Sequence, residues 1–146
     1  MLVYINTVDD PLLVHLKDDP VRPEIPTEFR VDTNRFVLAL VEEQVRAVVC
    51  VSLQNSIPAG VDNLGYIGNN IDTAIFYTIW SYTPGAGTEL LLSAVKDIQK
   101  NYPMIERFVT LSPKTEMARR FHIKNGAVVH RENENTINYE YLVNQV

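Results

Sequence analysis

One cysteine in 146 residues excludes an internal disulfide, and Cys50 lies in an apolar run that reads as core. A reducing compartment suits such a chain, and a cytoplasmic location is the expectation. Only three histidines are present, at 15, 122 and 130, and with the lone cysteine they offer no metal-ligand spacing, so no metal is expected. A basic surplus is also missing. The formal charge is −5 and the pI near 5.1, which argues against a nucleic-acid partner. No apolar run approaches a membrane span, and no basic segment followed by an apolar one opens the chain, so neither anchor nor signal peptide is expected. Walker, dinucleotide-fingerprint and Gly-x-Ser-x-Gly patterns are absent as well. With 46% hydrophobic and 21% charged residues, the chain reads as one domain over residues 1–146, able to bury roughly two thirds of its unfolded surface.

What is present concentrates between Asp72 and Ala127. The β-branched and aromatic run Ala74 to Tyr82 predicts a strand, stopped by Pro84-Gly85-Ala86-Gly87. From Thr88 the period changes: Leu91, Ala94, Val95 and Ile98 fall three and four apart, predicting an amphipathic helix that ends at Asn101-Tyr102-Pro103. A strand turning through glycines into a helix leaves amide N–H groups unpaired. The amides of Ala86 to Glu89, approached past Gly85 and Gly87, would suit a phosphate or pyrophosphate; a tight connection with nothing bound fits the same residues equally.

The plan then repeats. Arg107 to Leu111 predicts a strand, and Ser112-Pro113 reads as a hydroxyl N-cap with proline at the first helical position. Met117, Ala118 and Phe121 share one helical face, and Asn125-Gly126 is a stop. One straight helix would separate Ser112 from His122 by about 15 Å of rise. Lys114, Arg119, Arg120 and Lys124 form a local basic group, read either as facing an anion or as a solvated helix face.

Elsewhere, Met1 to Ile5 predicts an edge strand, and Asp9-Asp10-Pro11 starts a short helix over Leu12 to Leu16 that Asp18-Asp19-Pro20 stops. The stretch through Pro20, Pro23 and Pro26 reads as extended surface chain. Phe36–Val41 and Val45–Leu53 predict an antiparallel hairpin, Gln54 to Asn70 a long loop that is functional or mobile, and Ala127–Arg131 with Asn138–Val143 two further strands. The fold class that results is α+β, a mostly antiparallel mixed sheet flanked by helices.

Glycine turn, helix, strand, and a helix ending in glycine resemble the acyl-CoA-binding core of the GCN5-related N-acetyltransferase (GNAT) superfamily. More closely, Asp72 to Ile79, Gly87-Thr88-Glu89-Leu90, Tyr102-Pro103, Thr110-Leu111-Ser112-Pro113, Arg120 to Ala127 and Asn138-Tyr139-Glu140-Tyr141 resemble, in order, the catalytic domain of malonyl-CoA decarboxylase, a family within that superfamily. The chain departs from the pattern at Tyr82, where the superfamily commonly has Gln or Arg. It also has nine residues between Ser112 and His122, where the family has a long insertion.

The resemblance implies a GNAT-like fold and a coenzyme A thioester, malonyl-CoA or acetyl-CoA, as small-molecule substrate. Gly85, Ala86, Gly87, Thr88 and Glu89 would hold the pyrophosphate, and the backbone from Ile79 through Trp80 to Ser81 the thioester arm. It further implies Ser112 and His122 as the catalytic pair, with His122 as general acid near its ordinary pKa. The reaction expected is malonyl-CoA to acetyl-CoA and CO₂; the alternatives are a GNAT-type N-acetyltransferase using acetyl-CoA, or a non-catalytic CoA-binding relative.

Overall fold

The computed structural model describes residues 1–65 and 70–143. Its strands are β1 (Leu2–Ile5), β2 (Arg35–Glu42), β3 (Gln44–Gln54), β4 (Thr73–Ser81), β5 (Arg107–Thr110), β6 (Ser112–Pro113), β7 (Val128–Glu132) and β8 (Thr136–Tyr141). Its α-helices are α1 (Thr27–Arg30), α2 (Ala86–Asn101) and α3 (Glu116–Lys124), with 3₁₀ turns at Pro11–Asp18 and Val61–Asn63. One sheet runs β1-β2-β3-β4-β5-β8, with β6 continuing the β5 ladder on β8 and β7 on the opposite edge of β8. Strands β4 and β5 run parallel and the other neighbouring pairs antiparallel, so the expected mixed α+β architecture is what forms.

Alternation along β2 and β3 divides the core into two layers. Leu38, Leu40, Val49 and Val51 meet the apolar stripe of α2 (Leu90, Leu91, Ala94, Ile98) on one face. Val37, Ala39, Val48 and Cys50 meet Leu13, Leu16, Ile25 and Val31 of the N-terminal segment on the other. Both faces are therefore dry, which is why these strands are continuous apolar runs rather than half-polar ones. Cys50 is fully buried, and burial pushes its thiol up to about 11 while the Arg30 guanidinium works against the rise.

The proline-rich stretch has no regular structure and its three prolines are exposed, as expected, although it turns at Pro23 and Glu24 and buries Ile25. On either side of it Asp19 and Arg30 are buried, Arg30 Nη1 meeting Asp19 Oδ2 at 2.6 Å. Two expectations are corrected. First, Ser112 caps no helix. It belongs to β6 and pairs with Ile137, while Thr115 caps α3 by accepting the Ala118 N–H at 3.2 Å. Second, α2 begins at Ala86, two residues before Thr88, because Gly85 takes φ +80° and completes the turn earlier. Within the predicted long loop, the described part is held rather than loose: Asn138 Nδ2 donates to Pro58 O and Thr136 Oγ1 to Ala59 O. Gly68, part of that loop reading, lies outside the described residues.

Candidate functional site

The site begins with a change of hand inside β4. Phe76 faces the α2 layer, Tyr77 the other layer, and Thr78 the same side as Tyr77, where its hydroxyl donates to Asp19 Oδ1 at 2.8 Å. Two successive side chains on one face mark a β-bulge, seen also as the register slip opposite Cys50 and Val51. Up to Phe76 the strand pairs with β3 and β5; the last bond on the β5 side is Leu111 N–H to Phe76 O, at 3.0 Å. Beyond it the chain of β5 leaves to follow β8, and Pro113 has no N–H to offer. The two parallel strands fork.

Into the fork opens a cavity of about 340 Å³. It crosses the sheet: Pro20 and Val21 line it from the N-terminal layer, Gly87, Leu91, Phe121 and His122 from the helical layer, and β4 from Phe76 to Ser81 forms one wall. Tyr82 N–H bonds Arg46 O on β3, and antiparallel alternation then turns Thr78 and Trp80 toward β3. The backbone N–H and C=O groups of Ile79 and Ser81 are left facing the open side. Trp80, expected as a backbone ligand, instead has its amide directed at β3 and its indole N–H on the Tyr82 hydroxyl at 3.2 Å.

Ser112 and His122 both line this cavity, each 4% exposed. The continuous-helix separation expected from sequence does not arise, because Ser112–Pro113 is strand, the chain bends at Lys114 with Thr115 N–H on Pro113 O at 2.9 Å, and α3 starts only at Glu116. They make no hydrogen bond to each other. Ser112 Oγ shares a hydrogen bond of 2.8 Å with Thr110 Oγ1, which also accepts the Tyr139 N–H. His122 stacks on Tyr139 with ring centroids 5.0 Å apart, and its Nδ1 lies 2.7 Å from the Tyr141 hydroxyl.

Burial pushes His122 down to about 4, so at neutral pH it is an uncharged imidazole. An ordinary near-neutral histidine acid, as expected from sequence, is therefore corrected. Burial likewise raises Tyr141. Asn125 Oδ1 is fixed by Thr88 Oγ1 at 3.1 Å, and its buried Nδ2 has no hydrogen-bond partner among the described residues. Either group of the His122 Nδ1–Tyr141 pair can donate; when the hydroxyl does, Nε2–H is left as a donor with no partner among the described residues.

Among the described residues no Asp, Glu, Lys or Arg lines the cavity. Charge sits outside it, behind the apex of the fork at Arg22 and at the glycine turn. There Ala86 N–H bonds Thr83 O and Glu89 N–H bonds Gly85 O, so of the four amides expected to be free, those of Gly87 and Thr88 remain without a backbone partner. Gly87 has a second reason to lack a side chain: a Cβ would stand 3.3 Å from the Phe121 ring. Glu89 pairs with Arg46 at 3.3 Å, and Arg46 also reaches Thr83 Oγ1. The basic group on α3 is a solvated face, with Arg120 paired to Glu116. His15 meets the Tyr82 hydroxyl at 3.3 Å, which in turn donates to Asp18 at 2.8 Å.

Sequence reasoning missed Arg22, Asp19, Thr110 and Asn125, and gave Tyr141 no role. Thr110, Asn125 and Tyr141 carried a signal, since each lies in one of the blocks that carry the resemblance. Arg22 and Asp19 act through distant partners that local pattern does not reveal. Among the described residues no group of His, Cys, Asp and Glu could hold a metal, and no helix is long and apolar enough to cross a membrane.

No family model matches the chain, and no curated protein matches it. Solved structures do. Malonyl-CoA decarboxylase from Agrobacterium vitis superposes with a TM-score of 0.79 at 18% identity, over 98% of this chain and 60% of that one. Tetrahymena GCN5 matches with a TM-score of 0.66 at 18% identity, over 100% and 98%. Arabidopsis thaliana NAA60, solved with a bisubstrate analogue, matches with a TM-score of 0.64 at 13% identity, over 99% and 100%. The chain thus has the GNAT fold, shared with malonyl-CoA decarboxylases, and spans about 60% of the length of the decarboxylases it matches.

Proposed function

We propose that residues 1–146 form one acyl-CoA-binding unit that acts on the thioester, with malonyl-type decarboxylation as the first reading. The observation that supports it is the forked cavity, where Ser112, His122 and the free edge of Ile79 and Ser81 meet below the start of α2. A CoA pyrophosphate would sit on the Gly87 and Thr88 amides, with Arg46 as the neighbouring cation. The pantetheine arm would then run down the fork as a surrogate strand against Ile79 and Ser81, toward Ser112.

Decarboxylation breaks the bond between the α-carbon and the carboxylate carbon. CO₂ leaves, the electron pair moves through the α-carbon onto the thioester oxygen as an enolate, and water supplies the proton that makes acetyl-CoA. A cavity without charged lining disfavours the compact carboxylate more than the delocalised enolate, which lowers the barrier. Neutral His122 suits this chemistry as a hydrogen-bond donor through Nε2–H to the developing enolate oxygen, since at a pKa of about 4 it holds no imidazolium proton to deliver. Ser112, with Thr110 behind it, orients the carboxylate across the cavity.

Acetyl transfer to an amine is the second reading. Tetrahymena GCN5 and Arabidopsis thaliana NAA60, which share the fold, support it. The two readings separate in a mass-spectrometric time course of malonyl-CoA with the wild type and with His122→Ala. Acetyl-CoA formed by the wild type and lost in the variant supports decarboxylation. Malonyl-CoA that stays intact while CoA still binds ends that reading and directs the search to amine acceptors or a binding role.

A further inference from the structure

The fork needs something to keep it open. Just past the last ladder bond, the carbonyls of Tyr77 and Leu111 are the first groups left without a strand partner, and both residues line the cavity. A single side chain bridges them: Arg22 Nε donates to Tyr77 O at 3.4 Å and Arg22 Nη2 to Leu111 O at 3.2 Å. Its planar fork of donors lies across the apex, where a further rung of the parallel ladder would otherwise form.

Arg22 is itself fixed at both ends of its backbone. Its N–H donates to Asp19 Oδ1 at 2.9 Å, and its carbonyl accepts Arg30 Nη2 at 2.7 Å. Asp19 and Arg30 are the buried ion pair, and the same Asp19 oxygen takes the Thr78 hydroxyl from the cavity wall. The pair therefore connects the apex residue to the bulged strand.

We infer that Arg22 is a positioning residue which props β4 and β5 apart for the thioester arm of the ligand, held in place by Asp19 and Arg30. This rests on the acyl-CoA reading for the identity of the arm, though the propping itself does not. Arg22 touches no reacting atom; it sets the width of the channel beside Ile79 and Ser81.

The experiment compares wild type, Arg22→Met and Arg22→Lys, with CoA and adenosine 3′,5′-bisphosphate as calorimetric probes. The bisphosphate reaches the amides at the start of α2 but has no arm to enter the fork. Arg22→Met should weaken CoA by about tenfold, the size of one buried hydrogen bond left unmade, and leave the bisphosphate within about twofold. Arg22→Lys, with one compact donor head, should fall between. Amide exchange without ligand gives the independent readout: Ile79 and Ser81 should exchange more slowly in the variants as the fork closes, with Ala74 and Phe76 unchanged.

Equal losses for both probes, or unchanged or faster exchange at Ile79 and Ser81, would overturn the inference. If Arg22→Met does not fold, Arg22→Lys decides by the same criteria. If wild type binds neither probe, the CoA reading fails, and the exchange data still decide the role of Arg22.

Discussion

The two halves of β4 are made of similar residues and do opposite work. From Thr73 to Phe76 the strand is bonded on both edges, to β3 and β5, and its side chains are buried. From Tyr77 to Ser81 it keeps β3 alone, and what replaces the missing neighbour is a set of side chains: Arg22 at the apex, Asp19 under Thr78, and Thr110, Ser112, His122 and Tyr141 across the gap. The difference comes from one inserted residue. A bulge at Tyr77 shifts the backbone out of phase with β5, and a strand edge that would have been filled becomes a binding surface. Stability in the first half rests on apolar burial and ladder bonds; in the second it rests on polar partners chosen from distant parts of the chain.

That contrast can be broken most forcefully at the ion pair beneath the open half. Arg30→Met leaves Asp19 buried with its charge uncompensated, and should cost about 3–5 kcal/mol in denaturant unfolding. The double variant Asp19→Asn with Arg30→Met should recover part of that loss, and failure to recover any would mean packing rather than charge dominates.

A smaller effect is expected from pH. His122 has its folded pKa depressed below the unfolded value, so between about 4 and 6.5 the unfolded chain binds the extra proton and stability rises with pH. The contribution, on the order of 3 kcal/mol, is present above about pH 6.5 and is lost as pH falls toward 4. Unfolding titrations of wild type against His122→Gln measure it; identical pH slopes would show that the imidazole is not buried as neutral.

The smallest effect sharpens the boundary of the open half. Thr115→Ala should cost about 1 kcal/mol by removing the α3 cap. Ser112→Ala should leave α3 intact, as judged by amide exchange at Ala118 and Arg119.

Period and composition made much of this legible. The run Ala74–Tyr82 is β4 to within a residue, the hairpin is β2 and β3, and the stripe of Leu91, Ala94, Val95 and Ile98 is the buried face of α2. Gly85 signalled a backbone turn and takes the positive φ that glycine alone adopts freely. Proline misled at Pro113, read as the first residue of a helix, where a long-range partner, β8, made it part of β6; the irregular surface chain from Pro20 to Pro26 is as its prolines predict. Serine before proline is also an ambiguous sign: it fits a helix cap and a bent edge strand equally, and Thr115 three residues on could satisfy the same helix.

By itself, the sequence determined the order of elements, the apolar runs and the glycine turn, because each follows from neighbours within one or two turns of chain; Ser112 and His122 were singled out by the family resemblance. Tertiary structure alone decided that β4 and β5 part at Tyr77, that Ser112 and His122 line one cavity, and that His122 is uncharged. These depend on which distant groups share a dry interior, and burial and hydrogen-bond partnership are properties of the packed molecule rather than of any stretch of it.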